Sequence, residues 1–231
     1  MTIQLYDLAG AEEDRRFSPY CWRVRLALLH KCLPFETIAW RMTDKQAIAK
    51  SGSEKVPVLT DGDHMVADSS AIVAYLEQTY PDRPSLFGGP IGEALGRFVV
   101  EWCDSVQLPA MFRLLATDIV AHLAPTDVDY FTRTREARVG MKLEEFCANP
   151  TLRLSEFQAS LTPMRRVLSK QPFVCGDAPA WGDYAFFGGF QWARCISPLK
   201  LLAEDDPVNL WRSRMFELFD GAAAKAKGYA A

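Results

Sequence analysis

Ser18-Pro19-Tyr20-Cys21 is the stretch of this 231-residue chain whose residue types best suit chemistry. A serine closing the N-terminus of a helix sits beside free backbone N–H groups and a partial positive charge, where an anion is favoured. A thiolate lying against Ser18 gains that field and a hydroxyl hydrogen bond. The field contributes ~0.3–1 kcal/mol, less than one pKa unit, and leaves a thiol of pKa ~8.5 mostly protonated at neutral pH. A hydrogen bond to a charged group adds ~1.5–3 kcal/mol, so the two together lower a bound thiol's pKa by roughly two units. The hydroxyl decides whether such a thiol ionises. Taken alone, Ser18 reads first as a plain N-cap. Cys21, one turn further in, reads as a packed core thiol or as the reactive group itself. His30 cannot serve Cys21 as a base, because nine helical residues separate them by about 14 Å.

Two further places can bind rather than react. Val56-Pro57 precedes a strand, and a main-chain amide and carbonyl beside such a proline can pair with a peptide ligand as one more strand would. An ordinary strand-entry proline explains the same residues. Asp68-Ser69 caps a later helix, whose N-terminus receives carboxylates while the Asp carboxylate holds an ammonium. An α-amino acid head group offers both charges, although a simple cap also accounts for the pair. Trp102, Met111, Phe112, Phe186, Phe187 and Trp192 read as core in preference to pocket.

The elements that must position these residues begin with a strand at Ile3–Tyr6 and a polar loop, AGAEEDRRF. Pro19 takes the favoured first helical position, and the helix runs to about Lys31 with apolar residues on more than one face. Phe35 to Ala39 reads as a strand and Thr43 to Lys50 as a short helix ended by Ser51-Gly52. Asp61-Gly62-Asp63 is a hairpin turn between two more strands. Asp68-Ser69 opens a helix striped by Ile72, Val73, Leu76 and Tyr80. The order βαβαββα implies a mixed sheet covered by helices. YPDRPSLFGGP, with three prolines and two adjacent glycines, marks a boundary. Beyond Ile91 the pattern is helical, with later helices expected over 127–148, 153–170, 181–196 and 207–219. The fold class is therefore α/β followed by all-α.

Composition excludes several functions. Hydrophobic residues make up 49% and charged residues 24%, with a formal charge of −3, which argues against nucleic acid. No apolar stretch approaches the ~18 residues of a membrane span. MTIQLYDLAG lacks the basic start and apolar run of a signal peptide, so a cytoplasmic location is expected. Six scattered cysteines without Cys-x-x-Cys spacing, and only three histidines, predict no metal site.

In this order and spacing, Ser-Pro-Tyr before the first helix, Lys55-Val56-Pro57 before a hairpin, SSAIVAYLEQTYPD and the proline-rich linker resemble the glutathione transferase superfamily over nearly the whole chain. FSPYCWRVRLALLHK, YPDRPSLF and AEDDPVNLWRSRMFELFDG are most similar to bacterial β-etherase-like and related fungal serine-type members. The resemblance implies a thioredoxin-like domain over 1–83, a linker over 84–91 and a helical domain over 92–231. It implies glutathione as cosubstrate, with Ser18 activating the thiol, Val56 clamping the cysteine backbone and Pro57 as the cis-proline. Asp68 and Ser69 match the γ-glutamyl site, and Arg41 or Lys45 meets the glycine carboxylate. It further implies a homodimer and a hydrophobic, aromatic electrophile, with β-aryl ether cleavage one version of the chemistry. The alternatives are a glutathione-dependent thiol-disulfide oxidoreductase using Cys21 and a non-catalytic ligand-binding protein. Ala180-Trp181-Gly182-Asp183 departs from the family, which places Ser or Thr where Ala180 stands. Losing that hydroxyl cap costs ~0.5–2 kcal/mol.

Overall fold

The computed structural model describes residues 2–230. Strand β1 (Ile3–Leu8) turns Ile3, Leu5 and Asp7 inward, and helix α1 (Pro19–His30) carries the chain across to β2 (Phe35–Trp40). The two strands are parallel, with Ile3 opposite Phe35 and Leu8 opposite Trp40. Strand β3 (Val58–Asp61) lies antiparallel on the other side of β1, with Leu5 opposite Leu59, and a hairpin leads to β4 (His64–Ala67). The sheet order is β2-β1-β3-β4, closed by α2 (Ser69–Thr79). This is the thioredoxin-like arrangement expected. The second helical piece is a short 3-10 stretch, Gln46–Ser51, with only Ile48 buried. Six residues with one apolar anchor cannot repay helix nucleation, and Gly52 at φ 72° ends them.

Ser18 has extended backbone (φ −66°, ψ 124°), and Pro19 starts α1 with its φ already set for a helix. Trp22, Val24, Leu26, Ala27 and Leu28 are all buried, so α1 packs on several faces, as the wide apolar spread predicts. Lys31, at its end, is buried and paired to Glu77 at 2.9 Å.

The helical half begins with α3 (Pro90–Trp102), which runs without a break through a π turn (Cys103–Gln107) into α4 (Leu108–Val120). Pro109 has no N–H for the carbonyl four residues back, and the turn widens so that the Leu108 amide reaches Cys103 O instead. Then follow α5 (Pro125–Val139), α6 (Leu143–Phe146), α7 (Pro150–Ser160), α8 (Thr162–Leu168), α9 (Trp181–Ile196) and α10 (Pro207–Lys225). The helices expected over 127–148 and 153–170 are each divided. Gly140 at φ 76° stops the first, and the second, which starts earlier at Pro150, breaks at Leu161 just before Pro163. Helix α10 passes 219 but is interrupted by left-handed residues Phe219, Asp220 and Gly221.

Every residue of α9 except Arg194 is buried. Glycine makes its approach to α1 possible: a Cβ at Gly188 would lie 2.5 Å from the Pro19 carbonyl oxygen. Buried Arg23 of α1 then donates to Ala185 O of α9 at 3.2 Å and to Asp104 of the π turn at 2.6 Å. Phe186 stacks on Trp211 with centroids 4.6 Å apart.

The missing hydroxyl at Ala180 is compensated from the other side. Asp183 accepts from the backbone amides of Val174 (2.7 Å), Cys175 (3.1 Å) and Ala180 (3.3 Å) and from Trp211 Nε1 (2.9 Å). One buried carboxylate thus ties the start of α9 to the preceding loop and to α10. Burial pushes its pKa up and these donors pull against that shift.

Candidate active site

A cavity of about 460 Å³ opens where the end of β1 and the start of α1 face the helical half. Ser18 lies in its wall at the mouth of α1, itself buried, with its Oγ accepting from the Cys21 amide at 3.2 Å. That bond uses an oxygen lone pair and leaves the hydroxyl proton free to donate. Capping and thiol activation are therefore compatible in one residue. Pro19 and Tyr20 also line the cavity, and burial, with Asp104 nearby, pushes the Tyr20 phenol up, so it stays protonated.

Cys21 stands next to Ser18 but does not line the cavity. Its side chain is fully buried, with Sγ 3.9 Å from Tyr6 O, outside the cavity wall. Burial first, then the adjacent Asp7, pushes the thiol well above its ordinary value. Such a thiol is held protonated and out of reach.

Val56 lines the cavity, and among the described residues neither its amide nor its carbonyl has a hydrogen-bond partner. The Val56–Pro57 peptide is cis, and the Pro57 carbonyl accepts from the Asp68 amide at 3.3 Å, linking the two stretches. Asp68 is exposed at φ 79° and caps α2 by accepting from the amides of Ser70 (2.9 Å) and Ala71 (3.1 Å). Ser69 is buried beside it. Neither Asp68 nor Ser69 is part of the cavity wall; they stand at the next helix mouth.

The two basic candidates separate. Arg41 donates to the carbonyls of Gly10 and Ala11 and does not line the cavity. Lys45 does line it, bonded to Glu54 O at 2.6 Å and lying over the rings of Trp40 (5.1 Å) and Tyr130 (4.9 Å).

The helical half supplies the rest of the wall, including Leu108, Phe112, Tyr130, Phe131, Phe146 and Trp192. Phe112 and Trp192, which read from sequence as core, are buried and also face the cavity, whereas Met111, Phe186 and Phe187 are core alone and Trp102 is half-buried. Sequence reasoning misses Asp104, Arg135 and Arg138. The last two sit three apart on α5 beside Phe131, a spacing that marks one helix face. Among the described residues, no cluster of three or more His, Cys, Asp or Glu could hold a metal ion, and no helix is long and apolar enough to cross a membrane.

Comparison with known proteins identifies the family. Residues 14–84 match the family "Glutathione S-transferase, N-terminal domain", and residues 94–203 match "Glutathione S-transferase, C-terminal domain". A probable glutathione S-transferase of Oryza sativa subsp. japonica is 26% identical over 190 residues, covering 79% of this chain and 71% of that protein. A glutathione S-transferase of Arabidopsis thaliana is 32% identical over 98 residues, covering 41% of this chain and 44% of that protein. The crystal structure of a glutathione S-transferase of Ceriporiopsis subvermispora in complex with glutathione superposes with a TM-score of 0.84 at 25% identity, covering 95% of this chain and 97% of that one. With one domain match on each side of the boundary and the whole architecture shared, the chain belongs to the glutathione S-transferase superfamily.

Proposed function

We propose that this protein is a serine-type glutathione transferase in which Ser18 stabilises the glutathione thiolate for attack on an aromatic electrophile. The observation that carries the reading is the Ser18 hydroxyl, lying in the wall of an aromatic cavity with its proton free to donate. The helix mouth supplies the field and the hydroxyl the stronger part of the stabilisation.

Val56 pairs with the backbone of the glutathione cysteine, next to the cis-proline Pro57, and Asp68 and Ser69 hold the γ-glutamyl head group. Lys45 meets the glycine carboxylate, a role for which Arg41 is poorly placed because it lies outside the cavity wall, engaged by two loop carbonyls. The thiolate attacks an electrophilic carbon, a C–S bond forms and the leaving group departs with its electron pair. For a β-aryl ether the bond that breaks is C–O and an aryloxide leaves. The aromatic walls favour such substrates. The oxidoreductase alternative is disfavoured by the depth of Cys21 and by burial holding its thiol protonated.

The working form is a homodimer in the cytoplasm. Ile91, Leu95 and Phe98 form a stripe on α3 that is 78%, 63% and 68% exposed, a face suited to a second copy. Six free cysteines suit a reducing compartment. Light scattering that returned the mass of a single subunit would remove the dimer.

The test is glutathione conjugation of aryl and benzylic electrophiles by the native protein and by Ser18→Ala. Undiminished turnover in the variant refutes the role of Ser18. Binding of glutathione without turnover of any electrophile supports a ligand-binding protein instead.

A further inference from the structure

The cavity carries more positive charge than glutathione accounts for. Lys45, Lys55, Arg135 and Arg138 line it, against one carboxylate, Asp104, which is engaged by buried Arg23 at 2.6 Å. Arg135 and Arg138 belong to the aromatic side of the wall. The Arg135 guanidinium lies over Phe131 at 5.0 Å and donates through Nη1 to Thr134 Oγ1 at 2.9 Å, while Arg138 lies over Phe112 at 5.1 Å. Among the described residues no carboxylate stands within salt-bridge distance of either.

Two carboxylates of the same helix are committed elsewhere. Asp127, on the same helix, accepts from Met42 N, Thr43 N and Thr43 Oγ1. Glu136 takes Lys142 at 2.8 Å. Burial and the neighbouring Arg138 both work against the charge on half-buried Arg135 and push its pKa down. Two guanidiniums on one helix face, flanked by aromatic rings and lacking an internal counter-ion, form a receptor for a planar anion.

We infer that the electrophile this pocket takes is an aromatic compound bearing an anionic group, such as a carboxylate, held by Arg135 and Arg138 while its ring lies among Phe112, Phe131 and Phe146. The inference rests on the transferase reading above and narrows its substrate class.

Its test is a pair of ligands differing only in charge, 4-nitrobenzoate and 4-nitrobenzamide, titrated against the full chain by quenching of Trp40 and Trp192. Saturating S-methylglutathione is present throughout, so that both carboxylates of the tripeptide are already placed. The benzoate is expected to bind about tenfold or more tightly than the amide, as charge-assisted hydrogen bonds dictate. In Arg135→Met/Arg138→Met the ratio of the two affinities falls to about one, and in Arg135→Lys/Arg138→Lys a preference for the benzoate remains. Thermal unfolding checks that each variant is folded. Equal affinities in the native protein, or a preference that survives in the Met pair, overturn the inference. Conjugation of 4-chloro-3-nitrobenzoate is measured separately, with glutathione in place of S-methylglutathione. Preference for the benzoate with no conjugation of any electrophile sinks the transferase reading and leaves the anion pocket standing, whereas conjugation without charge preference does the reverse.

Discussion

The Nδ1 atom of His30 lies 2.6 Å from the hydroxyl of Tyr184, joining the last turn of α1 to α9. His30 Nε2 lies 3.0 Å from the Ser85 carbonyl, so it carries the proton and Nδ1 accepts from the tyrosine. The ring is neutral in the fold, and burial, the larger cause, with Lys31 nearby lowers its pKa below the ordinary 6.5. The unfolded chain therefore binds a proton more readily than the folded one. Stability present above pH 6.5 is lost as pH falls through that value toward the lower folded pKa. The unfolding temperature should drop across this window, and less steeply in His30→Gln. A residual slope is expected from His122, which burial shifts in the same direction. Identical slopes for the two proteins would dismiss the coupling.

Ser18→Ala removes both bonds made by one hydroxyl. The lost cap costs ~0.5–2 kcal/mol of stability. The lost hydrogen bond to sulfur raises the pKa of bound glutathione by about one to two units, cutting kcat/KM at neutral pH on the order of 10- to 100-fold. The pH–rate profile distinguishes the two effects, since only thiol activation moves its acid limb upward. Ser18→Cys should keep the fold while exchanging a hydroxyl donor for a weaker one.

Asp183 and Ala180 allow a paired stability test. Asp183→Ala strands four N–H donors and should cost about 3 kcal/mol or more. Ala180→Ser restores the hydroxyl cap and should add ~0.5–2 kcal/mol. Denaturant midpoints decide, and a neutral Asp183→Ala would contradict the account of how α9 begins.

Gly188→Ala probes the seating of α1 on α9. Its new Cβ meets a backbone oxygen at 2.5 Å and the Arg23 side chain at 3.2 Å, so one helix must shift. About 1–3 kcal/mol of stability should go with it. Because the oxygen belongs to Pro19, the displacement reaches Ser18, and kcat should fall more than glutathione affinity. Unchanged kcat with lowered stability would confine the glycine to packing.

Features set by neighbouring residues are legible in the amino-acid sequence. Ser18-Pro19 announces a helix start because a cap acceptor and a fixed φ act locally, and the largely apolar segment over 181–196, interrupted by Asp183, Gln191 and Arg194, predicts α9 with the bounds observed. The hairpin follows from Asp61-Gly62-Asp63. Relations between distant segments are not legible in composition and spacing. Arg41 and Lys45 are equivalent as residue types, and it is the fold that turns Arg41 to the loop carbonyls of Gly10 and Ala11 and Lys45 to the cavity. Arg138 looks like a solvated helix charge until Phe112 of α4 is brought beside it. The divided helices escape for a local reason: a helical periodicity that continues past Gly140 and Pro163 hides both breaks.

The wide turn at Cys103–Gln107 fixes which side of α4 looks into the pocket. Each residue of an α-helix advances the azimuth by about 100°, and a π turn holds one residue beyond the regular count, so everything downstream is rotated by that amount. Leu108, Pro109, Phe112 and Ile119 face the cavity because of this phase offset. A one-residue insertion or deletion between Asp104 and Gln107 would swing that whole bank of side chains away and present another, re-cutting the pocket without altering a single lining residue.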